Sequence, residues 1–277
     1  MINRLIYIFL MMGIASPVYS QYWWHNYKSL KADTSDASFI RPSDWNASLK
    51  PFPESSVFIS DDFLVGNQTS TVIGELNWST VMGGSGVLGL IPGQANHPGI
   101  CTLSTGTTAN ASAGILLSST STTKIVYGAE FFDITFIVKL AHDTSENNYR
   151  VRVGLVDNAA ITSDPADMIA FQRLQADDNW FGTTRSAGGT IFRTSAMTLA
   201  TANWFRLRMK KYDYTTPATD SIGFSINGGT EQRLGVGITA DTLLVALQIG
   251  NNNTAAAKNL YIDYFSLGIY PITRWPQ

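Results

Sequence analysis

The sequence predicts an all-β protein, an antiparallel β-sandwich that begins near Val57 and takes up most of the 277 residues. Three observations predict it: short apolar runs separated by turn chemistry, apolar residues spaced by two within those runs, and a composition poor in charge. Charged residues make up 14% of the chain, while Ser, Thr, Asn and Gly are plentiful. Long solvated helices need more charge than that, whereas β surfaces and tight turns do not. A chain of this length can bury a full core in one sandwich without disulfides, which suits a sequence whose only cysteine is Cys101.

The first twenty residues stand apart. Arg4 precedes an apolar run from Leu5 to Ala15, followed by Pro17 and Val18-Tyr19-Ser20 ahead of Gln21. This order reads as a signal peptide or a hydrophobic anchor. The run is short of the ~20 residues a helical span needs, so a stable membrane span is expected only if the segment is retained. Residues 21–56 read as an attachment arm, with an aromatic cluster (Tyr22, Trp23, Trp24 and Tyr27) and two closing prolines, Pro51 and Pro53. Residues 57–277 are assigned to the sandwich.

Within it, nine strands are expected in order: Val57–Ser60, Ile115–Ser118, Glu130–Leu140, Tyr149–Val156, Met168–Gln172, Trp204–Lys210, Ile222–Ile226, Leu243–Ile249 and Leu260–Leu267. Gly, Asn, Asp and Ser clusters separate them, among them Asn227-Gly228-Gly229, a strong hairpin signal. The alternation is clearest in three runs. Phe132, Ile134, Phe136, Val138 and Leu140 form one apolar face; Tyr149, Val151, Val153 and Leu155 form another; Phe205, Leu207 and Met209 form a third. One apolar and one polar face per strand is the pattern of antiparallel sheets packed face to face.

Several function classes are disfavoured at once. The formal net charge is −2, so no basic balance points to nucleic acid. Three histidines, His25, His97 and His142, lie far apart, without a nucleophile elbow or a Cys/His metal framework. His97-Pro98-Gly99 reads as turn chemistry. The Asp61-Asp62 and Asp177-Asp178 pairs suit turns in which Asp bonds its own backbone, rather than two carboxyls facing across a cleft as glycoside hydrolysis requires. The Asp-rich loops leave room for calcium, without an EF-hand pattern; no other cofactor is expected.

The polar faces are more suggestive. Arg150, Arg152, Arg206 and Arg208 are expected to line one sheet face, with Trp180, Arg185 and Trp204 nearby in sequence. Arg forks pair with hydroxyls or carboxylates and aromatic rings stack on sugars, so this set is the candidate glycan-binding surface. The plainer alternative is a solvated face paired with acids, with tryptophans packing at a sheet edge. Asp263, between Ile262 and Tyr264, is expected to pair with an arginine of the neighbouring strand. Sequons occur at Asn46, Asn67, Asn77, Asn110 and Asn252.

Ordered motifs add a family resemblance. Asp61-Asp62-Phe63-Leu64, Ile73-Gly74-Glu75-Leu76-Asn77-Trp78, the run from His97 to Thr108, Tyr149 to Leu155, Asn179-Trp180-Phe181, Thr184 to Gly189, Trp204 to Arg208, Phe224 to Gly228 and Leu260 to Leu267 resemble, in succession, a domain of tailed-bacteriophage tail and virion structural proteins. The resemblance implies a concanavalin-A-like jelly roll. It also implies a non-enzymatic structural module of a virion or other surface, homo-oligomeric, with glycans or other virion and surface proteins as partners and an extracellular or virion-surface location. A secreted bacterial lectin is the second expectation. A polysaccharide lyase or glycoside hydrolase is the third.

Overall fold

The three alternating runs set the architecture. In the computed structural model, Phe132, Ile134, Phe136, Val138, Leu140, Tyr149, Val151, Val153, Leu155, Phe205, Leu207 and Met209 are all buried in one core cluster. The structure describes residues 57–64, 72–117, 125–126, 130–141, 148–158, 160–161, 163–175, 177, 179–198, 203–212, 221–235, 242–253 and 256–271. The leader, the arm, His25, His142, Asp178, Asn46 and Asn67 lie outside the described residues.

Every strand pairing among the described residues is antiparallel. One sheet contains β1 (Val57–Asp61), β4 (Val87–Gln94), β5 (His97–Ser104), β8 (Glu130–Leu140), β13 (Trp204–Tyr212), β14 (Ser221–Ile226), β15 (Gln232–Gly235) and β17 (Asn259–Pro271). Its order is β15-β14-β13-β8-β17-β5-β4, with β1 also on β17. The second contains β2 (Val72–Ile73), β3 (Trp78–Gly83), β6 (Ser112–Leu116), β7 (Ile125–Val126), β9 (Tyr149–Val156), β10 (Met168–Arg173), β11 (Trp180–Arg185), β12 (Phe192–Arg193) and β16 (Thr242–Asn251). Its order is β12-β11-β10-β9-β16-β6-β3-β2, with β7 also on β16. The fold is the expected all-β antiparallel sandwich, and the inner faces of both sheets supply its core. Trp180 of the second sheet meets Phe205 of the first edge to face at 5.6 Å.

All nine expected strands exist, Glu130–Leu140 and Tyr149–Val156 with the expected ends and the others with shifted ones. The second expected strand starts earlier, at Ser112 rather than Ile115. The expectation of a turn at His97-Pro98-Gly99 is corrected: these residues open β5, and Asn96, at φ 67°, takes the turn position before them. Proline is tolerated there because β4–β5 forms the margin of its sheet, with Pro92 opposite Gly99. The Asn227-Gly228 hairpin is as expected, both residues adopting positive φ (52° and 72°), as a two-residue turn of that hand requires.

Candidate functional site

The expected single arginine face does not form. Arg150 and Arg152 sit on β9 of the second sheet, Arg206 and Arg208 on β13 of the first. On each strand the arginines alternate with residues of the shared core. The two pairs therefore point out of opposite sides of the sandwich. Arg208 donates through Nε to Asp133 Oδ1 at 2.8 Å, an exposed ion pair, and Arg206 is exposed. Trp180 is 1% exposed and belongs to the core, so it cannot serve as a sugar platform. Trp204 is half-buried, its ring stacked on His97 at 4.2 Å. The expected Asp263–arginine pair is likewise replaced: Asp263 Oδ2 lies 2.9 Å from His97 Nδ1, the acid sitting where β17 bulges against β8 between Ile262 and Tyr264.

The outer face of the second sheet is not the wet surface the alternation suggests. Arg152 is 0% exposed. The loop after β9 folds back over it and supplies acceptors for both ends of its fork. Nη1 donates to the carbonyl of Ala160 at 2.9 Å, and Nη2 to the carbonyl of Ser163 at 3.0 Å and to Asp164 Oδ1 at 3.2 Å. Burial pushes the Arg152 guanidinium below its usual range to about 10, against the opposing pull of Asp164. Arg185 holds the same loop from β11, donating to the carbonyls of Asp164 and Pro165 at 2.9 Å each, and to those of Gly188 and Gly189. Both arginines are therefore engaged in building a wall. Beneath it Leu116, Val156, Met168, Leu244 and Ala246 form a second, small apolar cluster.

At one end of that face a cleft of about 290 Å³ opens, lined by Asn110, Arg150, Ile161, Gln175, Gly250, Asn251 and Asn252. Arg150 is the second residue of β9; Gly250 comes from the end of β16, Asn110 from the β5–β6 loop, Gln175 from the β10–β11 turn and Ile161 from the loop pinned by Arg152. Asn251 is buried and structural: its Oδ1 accepts the Ala111 N–H at 2.8 Å and its Nδ2 donates to the Thr108 carbonyl at 3.0 Å. Gly250 keeps the floor open, since a Cβ there would stand 3.0 Å from Ile161 Cγ2. Among the described residues, no acid lines this cleft. Of the arginines and tryptophan expected at a ligand site, the structure brings Arg150 alone into it. Asn110, Ile161, Gln175, Gly250 and Asn252 were not anticipated as site residues; the run Gly250-Asn251-Asn252-Asn253 after a strand was the one local signal.

Elsewhere, Asp61, Asp62 and Glu75 bring ligand atoms within 4.8 Å of one another, the one such group of acids, histidines or cysteines among the described residues. Both oxygens of Asp61 are already taken, Oδ1 by the Phe63 N–H at 2.8 Å and Oδ2 by the Leu76 N–H at 3.0 Å and Trp78 Nε1 at 2.9 Å. Asp62 Oδ1 accepts the Leu64 N–H at 3.3 Å, and Asp177 Oδ1 the Asn179 N–H at 2.9 Å, the local turn bonds expected of these acids.

Residues 96–263, which carry Arg150 and all the other lining residues of the cleft, match the family model described as SO2946-like, C-terminal domain. The chain belongs to this family. Among solved structures it is similar to SO2946 of Shewanella oneidensis MR-1, a protein of unknown function, at 20% identity over 88% of this chain and 100% of that one, with a TM-score of 0.54. It is also similar to an endo-1,3-beta-glucanase of Streptomyces sioyaensis, at 11% identity over 78% and 97% of the two chains, TM-score 0.51. The carbohydrate recognition domain of Emp47p matches at 9% identity over 75% and 93%, TM-score 0.52. These likenesses establish the lectin- and glucanase-type jelly-roll fold. No curated protein matches the chain.

Proposed function

We propose that this chain is a non-enzymatic glycan-binding module, and that its site is the cleft beside Arg150. The observation that carries the reading is the cleft's lining: carboxamides from Asn110, Gln175 and Asn252, one guanidinium, and the apolar edge of Ile161 over Gly250. Planar amides and a guanidinium fork match the closely spaced hydroxyls of a sugar, and a small apolar patch suits its C–H face. Among the described residues the lining carries no carboxyl, and so no acid–base pair of the kind that cleaves a glycosidic bond. The fold shared with a carbohydrate recognition domain and a glucanase supports the substrate class by analogy.

The experiment is a glycan array probed with the purified chain and with Gly250→Val, whose side chain fills the cleft floor. Specific spots that vanish in the variant are expected; an array without specific spots overturns the reading. Incubation with a polysaccharide panel should release neither reducing ends nor unsaturated products. The ordered motifs that resemble those of phage tail proteins support placing the module on a virion or other exposed surface, as a homo-oligomer. Finding the chain in purified particles by mass spectrometry is the test. The export-like leader supports the second reading, a secreted lectin-like protein, for which the mature chain begins at Gln21.

A further inference from the structure

We infer that the Arg150 cleft selects an acidic saccharide, one carrying a carboxylate or sulfate, over a neutral one; this rests on the glycan reading above. The inference follows from which polar atoms remain available after internal bonding. Asn110 Oδ1 accepts the Asn253 backbone N–H at 3.2 Å. Because that partner can only donate, it fixes the amide so that Nδ2 faces outward as a donor. Gln175 Oε1 accepts from Asn252 Nδ2, leaving the Gln175 amide N–H groups. Arg150 donates from Nη1 to Asp164 Oδ1 at 3.2 Å, and among the described residues Nε and Nη2 have no acceptor. Its side chain is 24% exposed. The cleft therefore offers N–H groups from three side chains, Asn110, Gln175 and Arg150.

Charge points the same way. Asp164 Oδ1 is shared by Arg150, Arg152 and Gln172, each at 3.2 Å, while Asp157 adds its charge near Arg152 without a hydrogen bond to it among the described residues. Two guanidinium groups thus lean on one carboxylate oxygen, and the second of them is wholly buried. A ligand oxyanion at Arg150 Nε and Nη2 would give that arginine a countercharge of its own in bidentate form, in place of a share in Asp164. A neutral sugar would supply acceptors without charge. An additional acid in the ligand is therefore complementary, whereas an additional base would meet Arg150 directly.

The test uses the full chain on an array in which each carboxylated glycan is printed beside its carboxyl-reduced form and sulfated glycans beside desulfated ones. The expected result is binding confined to acidic members, falling about tenfold or more when the acid is removed, the scale of one charge-assisted hydrogen bond. Carboxylated and sulfated pairs separate the two sources of oxyanion. Arg150→Gln should remove the preference for acid; Arg150→Lys should restore part of it, keeping charge without the fork. Arg206→Ala, on the opposite side of the sandwich, should leave it intact, and matched melting curves confirm that each variant folds. Equal binding of acidic and reduced partners overturns this inference and leaves the glycan reading standing. An array with no specific spots overturns both.

Discussion

Arg152 and Asp164 meet above the outer face of the second sheet, Nη2 to Oδ1 at 3.2 Å, with the arginine completely buried. The same guanidinium satisfies the Ala160 and Ser163 carbonyls, so one side chain fixes the loop that carries Ile161 to the cleft. Truncation would strand those acceptors and leave the loop without its anchor. Arg152→Ala is expected to lower stability by roughly 3 kcal/mol, within the range for breaking a buried charged pair. Arg152→Lys should recover only part of it, since an ammonium lacks the planar fork. Arg206→Ala should stay within about 0.5 kcal/mol of the parent, as exposed substitutions do. Urea unfolding followed by circular dichroism measures all three, and equal losses at 152 and 206 would contradict the assignment.

Period-two alternation reports which residues face the core, and here it did so residue by residue, from Phe132 through Leu140 and from Tyr149 through Leu155. It cannot report which sheet a strand joins. Arg152 and Arg208 look equivalent in sequence, yet β9 and β13 lie in different sheets because sheet membership is decided by pairings between distant segments, such as β17 between β8 and β5. Nor does alternation reveal what later covers an outer face, which is why Arg152 read as solvated. The β4–β5 pair was hidden for a different reason: Gly89, Pro92, Gly93, Pro98 and Gly99 look like turn residues, and only a marginal position in the sheet lets them form strands. The cleft assembles from five segments of the chain, so local patterns could flag Arg150 without its neighbours.

The two sheets come into contact where β11 has no side chain. A Cβ on Gly182 would lie 2.3 Å from Cγ of Phe224, a residue of the opposite sheet, and the Phe224 ring meets Phe171 edge to face at 5.3 Å. Gly182→Ala is thus expected to force the sheets apart or the ring off its rotamer, at about 1–3 kcal/mol. Phe224→Leu leaves a smaller side chain opposite and should relieve part of that penalty. A double-mutant cycle in urea would show a favourable coupling between the two substitutions; strict additivity would mean that the close approach carries no energy.

Cys101 offers a probe of core integrity. It is buried, and burial, reinforced by the charge of Asp61, pushes its thiol pKa well above the usual range. Since the thiolate is the reactive form, iodoacetamide at mildly alkaline pH should leave the native chain unmodified and label it fully in guanidinium chloride. Mass spectrometry reads the difference directly. Rapid native labelling would mean that β5 opens readily.

Asp61 tests whether the acidic group beside β1 is a metal site or a fastening. Calcium takes six to eight oxygen ligands, but here the Asp61 oxygens hold the Phe63 and Leu76 N–H groups and the Trp78 indole. To bind a cation the carboxylate would have to share lone pairs with three donors, two of them carried by backbone that closes the β1 end. We therefore expect that neither calcium nor a chelator shifts the melting temperature. Asp61→Ala, in contrast, should cost about 3 kcal/mol by leaving buried donors unmet. Asp61→Asn should lie between, because its amide offers one acceptor oxygen for three donors and presents N–H where an acceptor is needed. A calcium-dependent rise in melting temperature that disappears in Asp62→Asn or Glu75→Gln would show instead that the three acids do hold a metal.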